Sequence, residues 1–377
     1  MRLIKDVEIE GKTVFLRVDW NVPLKDGEIS NDNRIKATIP TIEYLQSKNC
    51  KIIIGTHLGR PDGEIVHSLS TKILAQRFSQ LHPGKIVATD YVIEAAVKEE
   101  VNKLQPKEVL VLGNLRWYAE EETNNLAFAN VLASYAEIFV NDAFAVSHRA
   151  HASVEGITNF LPSYAGLLLE KEVKMLSTLT ENPRHPFVII LGGAKIKDKV
   201  GLIKRFTDSA DQILVGGAIA NTLKFFKGED ISASFYEPGL ENLIENLLAD
   251  SGQKLVLPTD TVKKSDTSGR FSILDIGPET IKNFTEIIAG AKTIFWNGNM
   301  GFSELPEYEI GTVKIADAVK ANIGTKIVAG GDTVGFLDSH KIIDGFTFVS
   351  TGGGAALEFL AGIDLPGLKV LDYYENK

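Results

Sequence analysis

Short runs of apolar, mostly β-branched residues recur along the chain, separated by longer stretches in which apolar positions fall three or four apart. The runs have strand length and the intervening stretches have helical period, the alternation of βαβ units that builds parallel sheets. In the first half the predicted strands are "TVFLRVD" (13–19), "KIIIGT" (51–56), "KIVATD" (85–90), "VLVLG" (109–113) and "EIFVND" (137–142). In the second half they are "FVIILGG" (187–193), "QILVGG" (212–217), "KLVLPTD" (254–260), "TIFWNG" (293–298), "KIVAGGD" (326–332) and "FTFVST" (346–351). Their continuous apolar character predicts burial on both faces, as in central parallel strands. Between the halves the spacing predicts a helix over 164–179, stopped by the prolines of "ENPRHP". The expected fold is α/β: two doubly wound parallel-sheet (Rossmann-like) domains joined by a hinge helix.

The expected boundaries are an N-terminal domain over 1–163, a helix and linker over 164–185, a C-terminal domain over 186–362 and a tail over 363–377. A chain of 377 residues suits two domains, and 44% hydrophobic with 24% charged residues suits folded cores rather than disorder. A net charge of −9 argues against a general nucleic-acid or membrane-surface binder, without excluding a local basic pocket. The single cysteine, Cys50, permits no internal disulfide, and no signal-peptide core or long apolar span is evident. The expected location is cytoplasmic. Asn283 heads a glycosylation triplet that carries no weight without secretion.

Ligands of such sheets sit beyond the carboxyl ends of the strands, and the two halves differ there. First-half ends carry Arg17, Asp19, Asn21, His57, Arg60, Arg116, Asn141 and Asp142, with Arg34 and Arg149 nearby in sequence, a pattern suited to a small anion gripped by side chains. Second-half ends carry glycines 192–193, 216–217, 298, 330–331 and 352–354, suited to a larger ligand approached by backbone. Each element has a plainer alternative. Asp19 and Asn21 can bind local backbone, lysines 195, 197 and 199 can be a solvated run, and Asp332 can cap a helix. His148 and His151, three apart, could bind a metal if their segment were helical, but no helix-borne carboxylate accompanies them and the alanines and serines around them suit a loop wrapping an anion. The lysines are expected in the first turns of a helix, where they oppose its dipole unless an anion lies between. No Walker A or G-x-G-x-x-G fingerprint is present, so these patterns alone reach no further than phosphate binding.

Taken in order, "RVDWNVPL", "THLGRP", "GNLRWY", "VNDAFAVSHRAHAS", "ILGGAKIKDK", "VGGAIANT", "DIGPET", "WNGNMG", "AGGDT" and "STGGGAALEFL" resemble the motif series of the phosphoglycerate kinase family, over about residues 13–362. The resemblance implies reversible phosphoryl transfer between 1,3-bisphosphoglycerate and ADP, giving 3-phosphoglycerate and ATP, with Mg²⁺ on the nucleotide. It implies a substrate site of Asp19, Trp20, Asn21, Arg34, His57, Leu58, Gly59, Arg60, Arg116 and Arg149. It implies nucleotide contacts from Gly193, Lys195, Lys199, Gly217, Asn297, Glu304, Gly330, Gly331, Asp332 and Thr333, with Asp332 at the metal. Arg34, Lys195, Gly353 and Gly354 would face the phosphoryl in transit. A monomer closing on its substrates, with the C-terminal tail returning to the N-terminal domain, is implied as well. The family more often has Glu where Gly113 stands, Pro where Asn299 stands and Gly where Ala329 stands; loss of a carboxylate near Arg116 and a looser loop at Asn299 are expected. The rivals are a nicotinamide-dependent dehydrogenase, disfavoured by the missing glycine fingerprint, and a non-catalytic phosphometabolite sensor.

Overall fold

The computed structural model describes residues 1–375; the last two residues of the expected tail lie outside them. The chain divides into two compact units, one of residues 1–173 with 364–377 and the other of residues 174–363, so the division falls inside the helix Leu167–Glu181.

The first unit holds a six-stranded parallel sheet of β1 (Thr13–Arg17), β2 (Lys51–Gly55), β3 (Ile86–Ala88), β4 (Val109–Val111), β5 (Ile138–Asn141) and β6 (Ser163–Ala165), in the order β3-β4-β2-β1-β5-β6. Alternation along the strands divides the core. Val14, Leu16, Ile52, Ile54, Val109 and Val140 pack on one face, and Phe15, Ile53, Leu110 and Phe139 on the other. Covered faces of this kind account for the unbroken apolar runs.

The second unit carries β7 (Phe187–Leu191), β8 (Gln212–Val215), β9 (Leu255–Val256), an antiparallel pair β10 (Thr261–Ser265) and β11 (Phe271–Ile276), then β12 (Thr293–Asn297), β13 (Thr325–Val328) and β14 (Phe348–Val349). Its parallel sheet runs β9-β8-β7-β12-β13-β14, the order of a doubly wound dinucleotide-type sheet, whose reversal between β7 and β12 opens a crevice at their carboxyl ends.

Several local expectations change. Tyr164 belongs to edge strand β6, and the helix begins at Leu167. Lys195 and Lys197 precede the helix Val200–Phe206, with Lys199 at its N-cap, so the lysines sit in a turn and do not load the helix's first turns. The strand expected at 254–260 is cut to two residues ahead of Pro258. Among the described residues no helix is long and apolar enough to cross a membrane.

Candidate functional site

In the first unit, strand β1 ends at Arg17, and the backbone then turns so that Asp19 and Asn21 serve different partners. One Asp19 carboxylate oxygen accepts from Arg34 Nη1 at 2.5 Å and the other from the Asn21 amide at 3.2 Å. Asn21 Oδ1 accepts the Gly59 amide at 2.8 Å, and its carbonyl also receives Arg34 Nη1 at 3.2 Å. Asp19, Asn21, Arg34 and Gly59 are therefore brought together. Arg116 Nε lies 3.2 Å from Glu122 Oε1, while its Nη1 reaches the Gly59 carbonyl at 3.4 Å. Arg60 and Arg149 are exposed. Trp20 and Leu58 point into the core; the indole N–H is engaged by Thr38 Oγ1 at 2.9 Å, so these two side chains shape the site from behind. Arg17 is also wholly buried, donating from Nε to Ser153 Oγ at 2.8 Å and from Nη1 to the Val18 carbonyl.

The histidines here are held neutral. Burial drives His57 well below its ordinary value, and Arg17, Arg116 and Arg34 add to the effect. Burial, with Arg149 and Arg116 beside it, pushes His148 to about 4, and burial with Arg17, Arg116 and Arg149 around it pushes His151 to about 3. Cationic character in this region therefore resides in guanidinium groups, which keep their charge at any working pH.

The second unit opens a cavity of about 740 Å³ at the carboxyl ends of its sheet. Gly193, Lys195, Lys199, Gly217, Asn297, Glu304, Gly330, Gly331, Asp332 and Thr333 all line it. Its floor is built by close backbone contact. A Cβ on Gly217 would meet Gly193 N at 2.8 Å, and one on Gly298 would meet the Gly192 carbonyl at 2.1 Å, so glycine is needed for the loops after β7, β8 and β12 to interlock. Asn297 Nδ2 donates to the Ala329 carbonyl at 2.8 Å, and Thr333 Oγ1 accepts the Gly298 amide at 2.7 Å. Burial lowers the Lys199 ammonium, while Asp198, Asp332 and Glu237 counter that effect. Asp332 is exposed in the first turn of the helix Gly331–Ser339, whose N-cap is Gly330, so it does not serve as that cap. Gly353 and Gly354 open the helix Gly354–Leu360 and are not part of the cavity lining.

Sequence reasoning overlooked three acids. Glu121 is fully buried behind Arg17, Glu122 pairs with Arg116, and Asp275 lines the cavity. Burial pushes the Asp275 carboxyl up to about 6, and its oxygens accept the amides of Ile276 at 2.8 Å and Gly311 at 2.7 Å. A Cβ on Gly301 would stand 2.3 Å from Asp275 Oδ1, so this acid seats the loop leading to Glu304. One signal for it was available: a lone charged residue inside the apolar run "FSILDI". Glu121 and Glu122 lie in the acidic run "AEEE", which reads as a solvated face.

Two of the unusual positions gain a physical account. A Cβ on Gly113 would stand 2.5 Å from the Asp90 carbonyl, and Glu122 supplies a carboxylate to Arg116 from another element. Asn299 donates from Nδ2 to Ser303 Oγ at 2.5 Å, tying together the loop expected to be looser.

A family model for phosphoglycerate kinase matches residues 4–363. The chain belongs to the phosphoglycerate kinase family. The phosphoglycerate kinase of Finegoldia magna is 42% identical over 98% of this chain and 99% of its own, and that of Solibacter usitatus 43% identical over 98% of each. Among solved structures, phosphoglycerate kinase from Coxiella burnetii superposes with a TM-score of 0.85 at 33% identity, covering 99% of both chains. The enzyme from Pyrococcus horikoshii OT3 gives 0.87 at 31% identity with both chains fully covered. Two doubly wound sheets, a kinase and hence transferase activity, and a glycolytic phosphoglycerate kinase function follow for this member of the family.

Proposed function

We propose that this chain transfers a phosphoryl group reversibly between ATP and the carboxylate of 3-phosphoglycerate, forming ADP and 1,3-bisphosphoglycerate, as a cytoplasmic monomer that uses Mg²⁺. The observation that carries the assignment of sites is the glycine-floored cavity of the second unit, lined by the whole candidate nucleotide set. Interlocked glycine loops admit phosphates close to backbone amides, and Lys195 and Lys199 supply positive charge. Asp332 fits the metal: it is an exposed oxygen donor on the cavity wall, and Mg²⁺ is ordinarily held by one or two carboxylates together with phosphate oxygens. The ion would neutralise charge on the transferring group.

The arginine patch of the first unit, Arg34, Arg60, Arg116 and Arg149 with neutral His57, suits the phosphate and carboxylate of phosphoglycerate, and Asp19, Asn21 and Gly59 hold Arg34 and the adjoining loop in place. The attacking carboxylate is already ionised near neutral pH, so no general base is needed. The obstacle is electrostatic: two unit charges about 4 Å apart repel by roughly 4 kcal/mol at an effective dielectric near ~20. Arg34 and Lys195 counter that repulsion, with the backbone amides at Gly353 and Gly354 as further donors, which is how catalysis of phosphoryl transfer is mainly achieved.

ADP release from Mg-ATP with and without 3-phosphoglycerate, together with trapping of the acyl phosphate, tests this function; no rise over the ATP-only control would overturn it. Arg34→Ala is expected to lower kcat by about 10³-fold or more with little change in nucleotide affinity, and a variant keeping most of its kcat would remove Arg34 from the transferring phosphoryl.

A further inference from the structure

Glu121 is a carboxyl side chain with no exposure, set in the helical turn Ala119–Glu122. Its side-chain hydrogen bonds, and one to its backbone carbonyl, run to one place. The backbone carbonyl accepts the Ala152 amide at 2.9 Å, Oε2 accepts the Ser153 amide at 2.9 Å, and Oε1 accepts the Ser153 hydroxyl at 2.6 Å. Ser153 Oγ in turn accepts Arg17 Nε at 2.8 Å. A serine hydroxyl has one proton, and with Arg17 on its lone pair that proton goes to Glu121, so the chain has a single direction: Arg17 to Ser153 to Glu121.

The other end of Arg17 meets His57, with Nη2 standing 3.4 Å from Nδ1. A guanidinium can only donate, so Nδ1 accepts and the single proton of this neutral imidazole sits on Nε2. Asp19 also faces Nδ1, but at 3.7 Å it is beyond hydrogen-bonding reach. The remaining charged and titratable neighbours are Arg116 and Arg34 around His57, and His151, whose Nδ1 stands 3.7 Å from Glu121 Oε1. Burial pushes the Glu121 carboxyl above its ordinary value, with Arg17, the two Ser153 bonds and Arg116 working against that push.

We propose that Glu121 is a positioning residue for phosphoglycerate binding. It clamps the end of the segment that carries His148 and Arg149 and, through Ser153 and Arg17, fixes the tautomer of His57. This role rests on the assignment of the arginine patch to phosphoglycerate. Glutamine is a poor substitute for Glu121: Ser153 presents two donors here, the amide and the hydroxyl, and a glutamine side chain offers one oxygen and one NH₂, so either the amide loses its acceptor or the hydroxyl turns its proton away to accept from the NH₂.

The test uses the full chain with Glu121→Gln and Ser153→Ala. Both are expected to raise KM for 3-phosphoglycerate roughly tenfold or more while KM for Mg-ATP stays within about twofold, since the loss falls on one substrate only. In the substrate-free wild type, ¹⁵N NMR is expected to find the His57 proton on Nε2, and in Ser153→Ala to find some of it on Nδ1. If Glu121→Gln fails to fold, Ser153→Ala decides, with an unaltered thermal transition of the first unit as the measure that it has folded. An unchanged KM for 3-phosphoglycerate in Ser153→Ala, or a wild-type His57 carrying its proton on Nδ1, overturns the proposal. The tautomer is read without substrate, so a wild type indifferent to 3-phosphoglycerate would refute the substrate assignment separately.

Discussion

Asp142 shows how a single side chain differs from its reading in the sequence. It ends the run "EIFVND", a position that the strand-end pattern assigns to ligand binding, yet it is fully buried and holds the start of the helix Leu167–Glu181. Its Oδ1 accepts the amides of Leu168 at 2.9 Å and Leu169 at 3.1 Å. Burial pushes the carboxyl up to about 7, and nearby Glu172 adds to the shift. The folded state therefore keeps a proton that the unfolded chain has lost once pH exceeds the ordinary value of 3.8. Stability from this group is full below that value, falls as pH rises towards 7 and is lost above it. Asp142→Asn keeps an acceptor for the two amides and cannot ionise. Chemical denaturation is expected to show the wild type losing about 2 kcal/mol more than the variant between about pH 5 and pH 8. Equal pH dependence in the two proteins would refute the assignment. Arg17 and Glu121 teach the same lesson: strand alternation and a charge run describe faces, whereas burial of one ionisable partner behind another is decided by elements far apart in sequence.

Secondary-structure elements were more legible than their ends. Buried strands announce themselves through β-branched runs, whereas the glycines after β7, β8 and β12, which the sequence suits to a ligand approached by backbone, are required by their own loops, whose backbones interlock at the cavity floor. The β10–β11 hairpin was missed because its first strand, "TVKKS", is polar and largely exposed, although Asp266 and Gly269 mark its turn. The start of the helix at Val200 was misjudged because "KIKDK" is locally good helix sequence, while positive φ at Gly193 turns the chain ahead of it. Gly353 is a different case. A Cβ there would meet nothing within 4 Å, but the backbone lies at φ 52° and ψ −123°, a region essentially reserved for glycine. Gly353→Ala is expected to cost about 1–3 kcal/mol in the second unit and to lower kcat at least ~10-fold by moving the helix start, whereas Gly354→Ala, free of positive φ and of any Cβ contact, should cost little in stability. Paired melting and turnover measurements separate these outcomes; unchanged turnover in Gly353→Ala would leave the three glycines as a turn alone.

At the scale of the whole molecule, two units follow from length and from the change in strand-end chemistry, but membership of the last segment does not. Only the family resemblance suggested that the chain returns after residue 363. The physical cause lies in Leu365, Leu368 and Leu371, spaced three apart and each with no exposure, so that one face of this short segment is buried in the first unit. Polar contacts hold it there. The Gly367 amide donates to the Ser147 carbonyl at 2.8 Å, the Arg2 amide to the Leu371 carbonyl at 2.9 Å, and Arg2 Nε pairs with Asp372 at 2.8 Å. Burial of a leucine contributes roughly 1.5–3 kcal/mol, so deletion of residues 364–377 should remove several kcal/mol from the first unit, a large share of a domain's usual ~5–15 kcal/mol. Calorimetry is expected to show the transition of the first unit moving to lower temperature while that of the second, read by its response to Mg-ATP, stays in place. Ser147 immediately precedes His148 and Arg149, and a Cβ on Gly367 would stand 2.9 Å from its backbone, so the tail also braces the loop that presents Arg149. The truncated chain should therefore bind 3-phosphoglycerate more weakly at a temperature where both units remain folded. A deletion that leaves both the first transition and that affinity unchanged would show that the tail neither supports the fold nor serves the site.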